Sequence, residues 1–88
     1  MLAEMVGEDH AAAAELRALF LAAATRHVAA LSEARAARSW RDEALKLQGL
    51  AASFGMTGLM EVAGRAADAA PDPLLLDAVA EALAACRT

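Results

Sequence analysis

Apolar residues recur along this chain at spacings of three and four, the period of an α-helix laid against a core. Leu16, Phe20, Ala23, His27, Ala30 and Ala34 form one such row, widened by Leu19, Ala24, Val28 and Leu31. No Gly or Pro interrupts residues 10–37. The row therefore predicts one helix from His10 to Ala37, roughly 40 Å long at 1.5 Å per residue. Ahead of it, Leu2, Met5 and Val6 predict a short helix over Met1–Val6, ended by Gly7 in the usual C-terminal role of glycine. Asp9 then supplies the cap of the long helix. A second row, Trp40, Ala44, Leu47, Ala51, Phe54 and Gly58, steps regularly by four and three. Ser39 is expected to cap that helix, with Asp42 and Glu43 in its first turn where the helix dipole favours acids. Gly55 and Gly58 bracket a break. Thr57 is expected to cap a helix over Gly58–Ala69, with Leu59, Val62, Ala63 and Ala66 inward. Pro71-Asp72-Pro73 reads as a turn, a cap and a proline at the first helical position. Leu75, Leu76, Val79, Leu83 and Cys86 continue the pattern in a final helix.

These elements predict an all-α fold. Short connections make sequential helices antiparallel, so the expected architecture is an up-down four-helix bundle with room for a short extra N-terminal helix. Residues 1–88 are expected to form a single domain. Composition agrees. The chain has 88 residues, 59% of them hydrophobic, with 27 alanines, 13 leucines and no Ile, Tyr or Asn. That length excludes a two-domain enzyme. The scarcity of β-branched and aromatic residues argues against a β-sandwich. High apolar content with a net charge of −4 argues against disorder.

Charge and candidate chemistry narrow the function by exclusion. The 8 basic residues form no stripe, and no aromatic stacking platform accompanies them, so no nucleic acid is expected as partner. The single cysteine, Cys86, cannot form an intramolecular disulfide, fits a reducing compartment, and has no neighbouring His or basic cluster to activate it. The start of the chain carries Glu4 where a signal peptide needs base. No apolar run approaches a membrane span. A cytoplasmic monomer without membrane partner, cofactor, metal or small-molecule substrate is the expectation. Trp40 is expected to anchor the core. His27 lies on the core row, and Asp42 and Glu43, being adjacent, do not make a carboxylate pair on one face.

One surface departs from this economy. Arg41, Asp42, Leu45, Gln48, Gly49, Ala52 and Ser53 share the helix face turned away from the second apolar row. Leu45 is apolar on that outward face. Gly49 is a mid-helix glycine, which costs about 1 kcal/mol against alanine and is not explained by core packing. A leucine, a glycine and an alanine in line on an outward surface fit a docking site. A lone exposed leucine is also ordinary on a solvated helix.

The run Ala44-Leu45-Lys46-Leu47-Gln48-Gly49-Leu50-Ala51-Ala52-Ser53-Phe54-Gly55 resembles the signature of the histidine phosphotransfer (Hpt) domain family. That signature reads roughly A-H-x-L-K-G-x-A-x-x-x-G with a leucine following. Ala44, Leu47, Gly49, Ala51, Gly55 and Leu59 match it. Gly7-Glu8-Asp9, Leu19-Phe20-Leu21 and Arg38-Ser39-Trp40 resemble the family's helix entry, its apolar stretch and the turn before its signature helix. The resemblance implies a four-helix bundle in a phosphorelay, exchanging phosphoryl groups with response-regulator receiver domains. It also implies where this chain departs. Leu45 occupies the phosphoacceptor histidine position and offers no nucleophile. Gln48 occupies the conserved lysine position and cannot balance phosphoryl charge. Lys46 lies about 100° away around the helix. The resemblance therefore implies a pseudo-Hpt domain, not an enzyme, that binds a receiver domain or a histidine kinase through Arg41, Asp42, Leu45, Gln48, Gly49, Ala52 and Ser53. Two alternatives remain beside it: phosphotransfer through another histidine, His10 or His27, and a structural or dimeric bundle without receiver affinity.

Overall fold

The structure, a computed structural model, describes residues 2–87, with side chains from Ala11 onward. It is all-helical, with no strand among the described residues. The helices are α1 (Leu2–Glu33), α2 (Ala37–Ser53), α3 (Thr57–Ala67) and α4 (Pro73–Cys86). Each packs on the next, and α1 closes against α4, with no close backbone approach across either diagonal among the described residues. The result is a four-helix, bundle-like ring.

The expected break near the N-terminus is absent. α1 runs through Gly7 and Asp9 as one helix of 32 residues. A single interior glycine costs about 1 kcal/mol. Stopping and nucleating a second helix would also have to fix a new first turn, which is the unfavourable step of helix formation. The side chains of Leu2, Met5, Val6 and His10, and all of Met1, lie outside the described residues. At its other end α1 stops at Glu33, not at Ala37. Leu31 and Trp40 are 1% and 2% exposed, and the chain must reverse between them for both to reach the core. Ala36 takes extended backbone there (φ −86°, ψ 143°) and its carbonyl accepts from the Trp40 amide at 3.0 Å. Ser39 is consequently inside α2 and not its cap. Asp42 and Glu43 lie beyond its first turn, which holds no acid.

The break after α2 follows the glycine. Gly55 has φ +69°, the left-handed backbone that side chains resist. The Gly55 amide donates to the Ala52 carbonyl at 3.2 Å and the Met56 amide to the Ala51 carbonyl at 2.9 Å, a Schellman closure. Gly58 takes no part in it and sits inside α3. Met56, not Thr57, occupies the cap of α3, without a side-chain bond, and α3 ends at Ala67 instead of Ala69. The Pro71-Asp72-Pro73 turn forms as expected: Asp72 accepts from the Leu74 amide at 2.8 Å, with Pro73 opening the helix.

The core is Phe20, Ala24 and Leu31 of α1, Trp40, Ala44, Leu47 and Ala51 of α2, Leu59, Ala63, Ala66 and Ala67 of α3, and Val79 and Leu83 of α4. The second apolar row is buried over its first four members, while Phe54 and Gly58 at its end are exposed. The long row is corrected more strongly. Leu16 and Leu19 are 54% and 66% exposed: Leu19 is turned about 100° around the helix from its buried neighbour Phe20, and Leu16 lies in an open groove beside Phe54 and Met56. The molecule measures 53 × 17 × 16 Å. The tilted Phe20–Phe54 pair, centroids 5.0 Å apart, lies where the packed part of α1 begins.

Trp40 anchors the core as expected, and its indole N–H donates to the Ala66 carbonyl at 2.7 Å. Trp40→Phe is expected to destabilise the fold by about 1–2 kcal/mol through the lost bond and the vacated volume. Asp72→Ala is expected to cost about 1 kcal/mol through the lost cap. Urea unfolding followed by circular dichroism measures both.

Candidate functional site

The site is built by what α2 buries. Trp40, Ala44, Leu47 and Ala51 are each 2% exposed or less. They consume the helix face between α1 and α3, and helical geometry turns the remainder outward. Arg41, Asp42, Leu45, Gly49, Ala52 and Ser53 are all exposed, and Gln48 is half-buried. The residues singled out in the sequence therefore do lie on the open side of α2. Leu45, at 43% exposure, stands in the middle of this strip. A Cβ added at Gly49 would meet nothing within 4 Å, so the space above that glycine is open. The Ser53 hydroxyl is engaged internally, donating to the Gly49 carbonyl at 3.0 Å.

Sequence reasoning missed that this surface continues onto α3. A groove of about 570 Å³ runs between the two helices, lined by Leu45, Gln48, Glu61, Gly64, Arg65 and Asp68 among others. Gly64 makes room for Gln48: a Cβ there would come within 2.7 Å of the Gln48 amide nitrogen. Gln48 therefore lies down across α3. The readable signal was Gly64 itself, a glycine inside an otherwise strong helix pattern.

The charged residues on the other edge of α2 belong to a different structure. Glu43 Oε2 is 2.9 Å from His27 Nδ1 and its Oε1 is 3.6 Å from Lys46 Nζ. Glu43 thus joins α2 to α1 and is not the helix-terminal charge that the sequence suggested. The hydrogen bond from His27 holds the Glu43 carboxyl below its ordinary value of 4.5, outweighing the opposing effect of burial, and the Lys46 charge lowers it further by a smaller amount. Lys46 points its charge at Glu43, away from Leu45. His27 is half-buried, with its Nδ1 engaged. The side chain of His10 lies outside the described residues. The Cys86 thiol donates to the Ala82 carbonyl at 3.3 Å. No group of three or more potential metal ligands occurs among the described residues, and no helix is long and apolar enough to cross a membrane.

Comparison with protein-family models, curated proteins and solved structures returns no match. The likeness to the Hpt family rests on the residues quoted for it.

The Glu43 contact has a pH signature. Its lowered value means that its contribution to stability is present above about 4.5 and is lost as pH falls through the folded-state value. The urea midpoint is expected to fall on acidification through that window. It should fall less steeply in His27→Ala, which removes the main cause of the shift.

Proposed function

We propose that this chain is an Hpt-like domain of phosphorelay signalling that binds a receiver domain, or the kinase serving it, without carrying phosphate. The observation that carries the reading is Leu45. It stands exposed at the centre of the outward face of α2, where the family signature has its histidine. A hydrocarbon side chain cannot accept a phosphoryl group. Phosphoryl transfer otherwise depends on charge stabilisation around the nucleophile, and Gln48 brings no cation to the position of the signature lysine.

The arrangement of helices supports the same reading. Phe20 meets Phe54 while His27 meets Glu43, so numbers rising on α1 pair with numbers falling on α2. Trp40 reaches Ala66, and Gln48 lies over Gly64, with the same sense between α2 and α3. These contacts support reading the fold as an antiparallel up-down bundle. In it, the face around Leu45 has an apolar centre and a polar rim of Arg41, Asp42 and Ser53, the ordinary anatomy of a protein interface. The open space above Gly49 lets a partner's backbone approach α2. Leu45 would fill the depression on a receiver into which a histidine normally reaches, and so keep true transfer partners away.

An NMR titration of the chain with receiver domains, phosphorylated and not, tests this. Shifts centred on residues 41–53, and absent in Leu45→Arg, are the expected result. No shift with any receiver or kinase would end the reading. Gly49→Ala separates stability from recognition: it should stabilise the helix by about 0.5–1 kcal/mol and weaken receiver binding. Acid-labile phosphate on His10 or His27 after incubation with a phosphorylated receiver would instead show a working transferase.

A further inference from the structure

The ring has a second open seam, between α1 and α4, opposite the one beside Leu45. A groove of about 430 Å³ runs along it. On its α1 side Val28 and Ala29 lie between the hydroxyl residues Thr25 and Ser32, and Leu76, Ala80 and Ala84 line its α4 side. The three alanines are exposed, and Val28 and Leu76 are half-buried. This mostly apolar channel carries opposite charges towards its two ends, Asp77 and Arg87. They lie about 15 Å apart along α4 at 1.5 Å per residue. Arg87 is held over the channel, its guanidinium donating to the Thr25 hydroxyl at 3.0 Å.

We propose that this groove receives α4 of a second copy of the chain, related by a two-fold axis, and that the protein is a dimer through this face. The charge pattern selects the occupant. A two-fold axis through the middle of α4 sets the two helices antiparallel. Asp77 of each copy then faces Arg87 of the other, so the surface is complementary to itself, as an isologous interface requires. A parallel pairing would set Asp77 on Asp77 and Arg87 on Arg87. The crossing falls at Ala80 and Ala84, whose methyl groups let the helix axes come close. Glu81 is turned about 100° from Ala80 around the helix and stays off the contact. The dimer departs from the monomer expected of the sequence. It does not depend on receiver binding, and it leaves two Leu45 faces pointing outward.

Sedimentation equilibrium of the full chain tests the proposal. A reversible dimer is expected. Asp77→Arg and Arg87→Asp should each weaken it by about tenfold or more, because like charges then face each other. The double reversal, Asp77→Arg with Arg87→Asp, should restore it. Ala80→Arg, at an exposed position, should give a folded monomer by circular dichroism and guards against misfolding of the charge variants. Leu45→Arg should leave the dimer intact. A monomer up to near-millimolar concentration, a dimer indifferent to the single reversals, a double variant that stays monomeric, or a dimer lost in Leu45→Arg would each overturn the proposal. None of these results bears on the receiver titration.

Discussion

Methyl-sized side chains at the helix contacts are the constraint on which this structure rests. Ala24, Ala44, Ala51, Ala63 and Ala66 have no exposed surface. An alanine contributes little buried area, so its value to a core lies in letting helix axes come close enough for neighbouring side chains to be shared. Large groups then close the gaps. Trp40 spans from α2 to the backbone of α3 through its bond to Ala66, and Phe20 meets Phe54 where α1 begins to pack. A small chain buries a smaller fraction of its surface, and close helix approach lets its few large residues fill the space between four helices.

The same economy shapes the outer surfaces. α2 gives its whole inner face to Trp40, Ala44, Leu47 and Ala51 and contacts both α1 and α3. Leu45 has no inward option left. Lys46 is drawn to one edge by Glu43, and Gln48 lies over Gly64 on the other. The middle of the helix is left with an exposed leucine and an open glycine. The docking proposed for this chain rests on that leucine and glycine. The reading of this face as a docking surface and the reading of the α1–α4 groove as a dimer face concern opposite sides of the ring, so one does not obstruct the other.

α1 shows how two features of one helix separate. Its inner half is tied down by Phe20, Ala24 and Leu31 in the core and by the His27–Glu43 contact at the edge. Before Phe20 it leaves Leu16 and Leu19 exposed, although Leu16 lies beside Phe54 and Met56. Periodicity alone cannot tell the halves apart, because both have the spacing of a buried helix. Which helix stands beside each turn, and on which side, decides which of those positions is covered.

The sequence by itself determined the helical class, the inward row of α2, the capped turn at Asp72 and Pro73, and the outward position of Leu45 and Gly49. These follow from local periodicity and turn chemistry, in which a residue's role is set by neighbours one turn away. Tertiary structure decided the rest. Gly7 and Asp9 read as a stop and a start, yet α1 runs through both. Ala36 replaced Ser39 as the cap because Leu31 and Trp40 must both reach the core. Glu43 found its partner 16 positions earlier in the chain, at His27, and Gln48 found its seat on Gly64. The extension of the candidate site onto α3 has the same origin. Each depends on which helix stands beside which and for how long, and no spacing along the chain carries that information.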